Sequence, residues 1–200
     1  MDFLVDMTTY VPPGTHRDEI DDIRARESVR ARGLVANGHL LRLWRPPLTP
    51  GQWRTFGLFA ADDSDQLEHE LASMPLRVWR TDVVTPLSVH PNDPGRGSAA
   101  SEFLTTLTIT VPLGTSTDEV DDRKAREAIR TAELAEQGRL LRLWRPPAQP
   151  GQWRTLGLWG AADPAGLTAT LESLPLYDWM TVKRTALSVH PNDPANGATS

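Results

Sequence analysis

Three kinds of side chain suited to proton chemistry recur one hundred residues apart. They are a glutamate on a long helical pattern (Glu27, Glu127), an arginine next to a tryptophan-bearing run (Arg42 with Trp44, Arg142 with Trp144), and a histidine in SVHPND (His90, His190). At 100° per residue, Ile20, Ile23, Ala31 and Leu34 form an apolar stripe with Glu27 in its middle. Val120, Thr131 and Leu134 do the same around Glu127. A carboxylate facing a sheet must be paired, protonated or set in a cavity, because bare burial costs several kcal/mol. An apolar cavity raises its pKa toward the range useful for proton transfer. The structural alternative is a buried Glu–Arg pair drawn from Arg30, Arg42 or Arg45. The repeats differ one turn upstream, where Ile23 is matched by Arg123. Arg123 is expected to pair with Glu127 at i,i+4 and hold it ionised, which makes Glu27 the better proton-transfer candidate.

Strand alternation in LLRLWR sets Leu41 and Leu43 on one face and Arg42 and Trp44 on the other, with Leu141, Leu143, Arg142 and Trp144 repeating it. A guanidinium beside an indole suits a carbonyl or anionic ligand. Arg42 and Arg142 are therefore expected as oxyanion partners. Trp44, Trp144, Arg45 and Arg145 are expected to bind substrate. His90 and His190 are expected to orient substrate or return the proton, each stiffened by the proline that follows. Trp53, Trp153, Trp79 and Trp179 read as core or interface rather than ligand wall. No histidine pair has HxH or HxxxH spacing and there is no cysteine, so no metal site is expected. Nucleotide-binding glycine loops and the GxSxG elbow are absent as well.

The composition agrees with a small-molecule partner. The chain has 200 residues, a net charge of −5, and 39% hydrophobic and 24% charged residues, a globular balance without a basic footprint for nucleic acid. No apolar run reaches the ~20 residues of a membrane span. The first residues carry neither a basic segment nor a long apolar core, so the expectation is a cytoplasmic chain without a signal peptide.

The elements that must position these side chains come in duplicate. Leu40–Phe59 and Leu140–Trp159 agree at 16 of 20 positions, and LSVHPNDP occurs at both Leu87–Pro94 and Leu187–Pro194. The expected organisation is one repeat over residues 1–95, a small-residue linker over 96–101 and a second repeat over 102–200. Each repeat reads as βαββαβ. A strand ends at Pro12 or Pro112, and a helix over about 17–36 or 117–137 follows, with Gly14-Thr15 or Gly114-Thr115 as cap-like residues. Gly38 or Gly138 stops that helix. Strands at 40–45 and 52–60, a short helix at 64–73 and a last strand ending near His90 complete the unit. The expected fold class is α+β: two ferredoxin-like βαββαβ repeats packed as a pseudo-twofold dimeric α/β barrel.

Taken in order, Glu27, the run Leu41–Arg45, Met74-Pro75-Leu76 and the stretch Val84–Pro91 resemble the muconolactone Δ-isomerase family. Glu127, Leu143-Trp144-Arg145, Leu174–Met180 and His190-Pro191 repeat the resemblance. It implies a small, cofactor-free protein that assembles through barrel dimers, so a homo-oligomer is within expectation. It also implies a reaction that moves a double bond within an unsaturated lactone by proton abstraction and redelivery. The family's helix carboxylate falls on Glu27 and Glu127, and its strand-end histidine on His90 and His190. Two departures stand out: Ser28 and Ala128 replace a lysine, and Arg42 and Arg142 replace a histidine. They point to the same scaffold with a substrate other than muconolactone. The expected function is an isomerase-like proton transfer. Two alternatives are a cyclase, decarboxylase or cofactor-free monooxygenase on this scaffold, and a non-catalytic binding module whose Glu27 merely pairs with arginine.

Overall fold

The computed structural model describes residues 1–95, 97–149 and 151–197. Arg96 of the expected linker and the last three residues of the second repeat lie outside them. The elements in chain order are β1 (Asp2–Thr9), α1 (Arg17–Ala36), β2 (Leu40–Arg45), β3 (Trp53–Ala60), α2 (Ser64–Ala72) and β4 (Arg80–Val89). They are followed by β5 (Glu102–Ile109), α3 (Thr117–Glu136), β6 (Leu140–Arg145), β7 (Trp153–Gly160), α4 (Pro164–Glu172) and β8 (Met180–Val189). The α+β class and the two βαββαβ repeats are as expected.

Contacts gather the chain into two units whose limits are not those of the repeats. Unit 1 is Met1–Leu87 with the tail from Ser188, and unit 2 is Ser88–Leu187. In unit 1, β1 lies between β3 and β4, β2 pairs with the other edge of β3, and all pairings are antiparallel. The end of β8 covers the free edge of β2, with Val189 opposite Trp44 and Ser188 opposite Arg45. Unit 2 repeats this with β5, β7, β8 and β6, whose free edge is covered by Ser88 and Val89 of β4. The strand order in unit 1 is therefore β4-β1-β3-β2 with the end of β8 beside β2, and in unit 2 β8-β5-β7-β6 with the end of β4 beside β6. Each repeat gives up its tail, and with it the SVHPND histidine, to the unit built on the other repeat.

The long helices form where the stripe predicts. Ile23, Glu27, Ala31 and Leu34 are the buried residues of α1. Acidic Asp18 and Glu19 open α1, which suits the helix dipole. The helix starts differ from expectation: the α1 N-cap is His16, which makes no side-chain cap, and the Thr15 hydroxyl donates to Pro12 O instead. Ser116 does cap α3, accepting from Glu119 N–H. Gly38 and Gly138, at φ 75° and 67°, turn the chain out of the helices. The core of unit 1 gathers Phe3, Val5, Leu34, Leu40, Phe59 and Leu71. That of unit 2 gathers Phe103, Leu107, Leu134, Leu140, Trp159 and Leu171.

Candidate functional site

Each unit holds one cavity between its long helix and its sheet, and each cavity contains the helix glutamate. In unit 2 the cavity is about 560 Å³, with Glu127 and Ala128 of α3, Arg145 of β6 and Trp153 of β7 in its wall, and His90 supplied by the incoming tail. The cavity of unit 1 is about 180 Å³ and takes Glu27, Ser28, Arg45, Arg80 and His190. Histidine and glutamate thus meet crosswise, His90 with Glu127 and His190 with Glu27. The expected grouping of Glu27 with His90 is corrected by the exchange of tails, which no single repeat's sequence can display.

The tail motif explains how the imidazole is aimed. In unit 2, His90 N–H donates to Leu143 O at 3.2 Å, which fixes the backbone beside β6. The Asn92 N–H donates to His90 Nδ1 at 3.1 Å. With Nδ1 accepting, the neutral ring carries its proton on Nε2. Burial pushes the His90 pKa down to about 4, with Arg145 reinforcing the drop and Asp93 opposing it. His190 repeats this, lowered to about 4 by burial first and then by Arg45. At neutral pH both are uncharged hydrogen-bond donors.

Asp93 and Asp193 then explain the arginines of the LRLWR run. Asp193 Oδ1 accepts from Leu43 N–H at 3.1 Å, and its carboxylate receives Arg42 Nε at 3.2 Å. Asp93 binds Leu143 N–H at 2.7 Å and Arg142 Nε at 3.2 Å. Arg42 lies 4.8 Å over the Trp44 ring, and Arg142 4.5 Å over that of Trp144. Trp44 and Trp144 are each 1% exposed. Neither pair lines either of these two cavities. The residues expected as oxyanion partners and ligand wall are placed instead on the far face of the sheet, where each arginine meets the aspartate of a tail. Alternation separates the two sets of residues as expected, but the cavity lies on the other face, to which Leu43 with Arg45 and Leu143 with Arg145 point. A register shift between Leu40 and Arg42, repeated between Leu140 and Arg142, marks the bulge before these positions.

The two glutamates differ in their neighbours. Glu127 Oε2 accepts from Leu176 N–H at 3.0 Å. Burial raises its pKa, and only that hydrogen bond opposes the rise. Glu27 Oε2 accepts likewise from Leu76 N–H at 2.8 Å, but Oε1 also faces Arg80 Nη1 at 3.3 Å. Burial raises the Glu27 pKa too, against both the Leu76 bond and the Arg80 charge. Arg80 is held in turn by Asp82 at 2.7 Å, and Asp82 also receives Arg77. At the matching positions of unit 2 stand Met180, Val182 and Tyr177, none of which carries a cation. The expected Arg123–Glu127 pair does not form. Arg123 turns away to donate to Pro175 O, approaches Glu119 at 3.4 Å and lies 4.4 Å over the Trp179 ring. That reverses the ranking: among the described residues Glu27, not Glu127, is the carboxyl ion-paired to a guanidinium. Sequence reasoning misses Arg80 because it sits on a strand remote from the helix, although the Arg80/Met180 mismatch between repeats is a visible signal. Trp153, expected in the core, lies in the unit 2 cavity wall with Lys124 4.6 Å over its ring. Trp179 is buried as expected.

Among the described residues no cluster of three or more His, Asp or Glu is placed to hold a metal ion, and no helix is long and apolar enough to cross a membrane.

Comparison with known proteins agrees with the duplication. The chain is 32% identical over 90 residues to muconolactone Δ-isomerase from Cupriavidus pinatubonensis, covering 95% of that protein but 45% of this chain. It is 28% identical over 90 residues to the Acinetobacter baylyi enzyme, covering 91% of that protein. Solved structures share the fold along nearly the whole chain. A heme-binding protein from Thermus thermophilus matches with TM-score 0.60 at 10% identity, over 96% of this chain and 91% of that one. Chlorite dismutase from Candidatus Nitrospira defluvii matches with TM-score 0.53 at 11% identity, over 94% and 91%. The muconolactone delta-isomerase family model matches twice, over residues 1–93 and 101–193, and this chain therefore belongs to that family as a tandem pair of its units.

Proposed function

We propose that the chain is a cofactor-independent isomerase that shifts a proton, and with it a double bond, next to a carbonyl. Its substrate is an unsaturated lactone or enol-type compound other than muconolactone, and the reaction runs at Glu127. The observation that carries this reading is a carboxyl group in a cavity, raised in pKa by burial against nothing but the Leu176 backbone hydrogen bond. Such a group is matched to both halves of a proton shift. As carboxylate, Glu127 takes the proton from the carbon beside the carbonyl, and the electron pair moves onto the carbonyl oxygen. The resulting enolate oxygen is met by the neutral His90 Nε2–H and the Arg145 guanidinium. The protonated Glu127, whose proton exchanges with solvent, then delivers a proton to the far carbon of the conjugated system, leaving the carboxylate as it began. The low His90 pKa suits a donor that stabilises the oxyanion without surrendering its proton.

The non-catalytic reading, in which a helix carboxylate pairs with arginine, fits Glu27 and Arg80 in unit 1. It does not fit Glu127.

The test is a panel of unsaturated lactones incubated with the protein in D2O and followed by proton NMR. Deuterium should enter the far carbon, the one that receives the proton, as the double bond moves. Glu127→Gln should slow this by about a thousandfold. An unchanged rate in that variant overturns the assignment.

A further inference from the structure

The two cavities share a plan and differ threefold in volume, and three exchanges make the larger one less polar, against one, Ala31 to Thr131, whose added hydroxyl bonds the Glu127 and Ala128 carbonyls of its own helix. At repeat-related positions of the wall, Thr9, Ser28 and Arg80 of unit 1 are replaced in unit 2 by Ile109, Ala128 and Met180. Each exchange removes a polar group. On β7, Gly157 leaves room for the indole of Trp159 to lie across the strand, since a Cβ there would fall 2.4 Å from the ring nitrogen. The Trp159 Nε1–H is satisfied by Thr105 Oγ1 at 2.8 Å, and the ring, 1% exposed, backs this wall from the core. Trp153 stands in the same wall, nearer solvent. An unsaturated five-membered ring would leave most of a 560 Å³ space unfilled, beside a stretch of wall made apolar by Leu107, Ile109, Ala128, Leu174, Leu176 and Met180.

We propose that the unit 2 cavity selects a carbonyl compound with a flat apolar body of at least two fused rings, stacked on Trp153 with its oxygen end at His90 and Arg145. Met180 and Ala128 are its specificity-determining residues. The proposal rests on the assignment of unit 2 as the working site, and deepens it by naming the size and character of the substrate.

Binding tests this without turnover. Titration calorimetry of the full chain with 2-naphthoate, benzoate and decanoate compares a fused ring pair, a single ring and a flexible chain, each bearing one carboxylate. The expected result is naphthoate bound at least tenfold more tightly than either of the others. Met180→Arg, which restores the unit 1 residue, and Ala128→Leu, which fills the cavity from α3 with a good helix former, should each remove that preference. Circular dichroism checks that both variants fold, and either one suffices if the other does not. Equal affinity for benzoate and naphthoate overturns the proposal, as does tighter decanoate or a preference that survives in a folded variant. Naphthoate preference together with full isomerase activity in Glu127→Gln would overturn the proton-transfer assignment and leave this one standing.

Discussion

Unit 1 and unit 2 are built on related repeats and surround their glutamates differently. Both place a glutamate on the buried stripe of the long helix, tie one of its oxygens to a backbone N–H, and bring in a neutral histidine on a borrowed tail. The difference comes from the first residues of the last strand. In unit 1, Arg80 and Asp82 are 3% and 2% exposed at their side chains and form a chain of ion pairs reaching Glu27. In unit 2 the same strand offers Met180 and Val182, and the glutamate keeps only its backbone partner. A buried guanidinium beside a carboxylate favours its ionised form and fills the space a substrate needs. Duplication allows one copy to take up this structural pairing while the other keeps an open cavity.

The largest effect expected outside the glutamates concerns the anchors, which both units share. Arg142→Ala leaves the buried Asp93 carboxylate without its cation and should cost about 3 kcal/mol of stability. Arg42→Ala should cost a similar amount through Asp193. Chemical denaturation measures both. Losses of a few tenths of a kcal/mol would mean that these arginines are ligand groups after all. Only Arg142→Ala should also lower turnover strongly, because it frees the tail that carries His90.

The histidines separate the units next. His90→Gln should lower kcat by about a hundredfold, the usual cost of losing one oxyanion donor. His190→Gln should leave turnover within about twofold. Equal losses would place catalysis in both cavities.

A smaller effect is the pH dependence of stability. The folded chain holds each histidine at a pKa of about 4, against about 6.5 unfolded. Between those values the unfolded chain binds protons that the folded chain refuses. Stability from this source is therefore full above pH 6.5 and is lost as pH falls toward 4. The raised glutamates act in the opposite sense: their contribution is lost as pH rises above 4.5. Comparing His190→Gln with its parent isolates the histidine part, which should flatten the acid side of the profile by about 1–2 kcal/mol. An unaltered profile would mean that the ring is not buried. The same raised pKa of Glu127 predicts that kcat rises with pH through a limb above the ordinary carboxylate range.

The fold was legible because its signals are local and duplicated. The stripe around Glu27, the glycine stops and the alternation of LLRLWR all depend on a residue and its near neighbours. The faces and partners were not, because they depend on distant segments. Period-2 alternation separates Arg42 from Leu43, but does not say which face the long helix covers. The i,i+4 rule allowed Arg123 to meet Glu127, but the Pro175 carbonyl and the Trp179 ring made better partners for its guanidinium. The crossing of His90 to Glu127 has no trace in either repeat, since both tails read alike.

Which glutamate moves the proton is decided most directly by assaying Glu27→Gln and Glu127→Gln side by side. With deuterium incorporation from D2O as the readout, the Glu27 variant should keep the parent rate within about twofold, and the Glu127 variant should lose about a thousandfold. The reverse order, or equal losses, would contradict the assignment of the chemistry to unit 2.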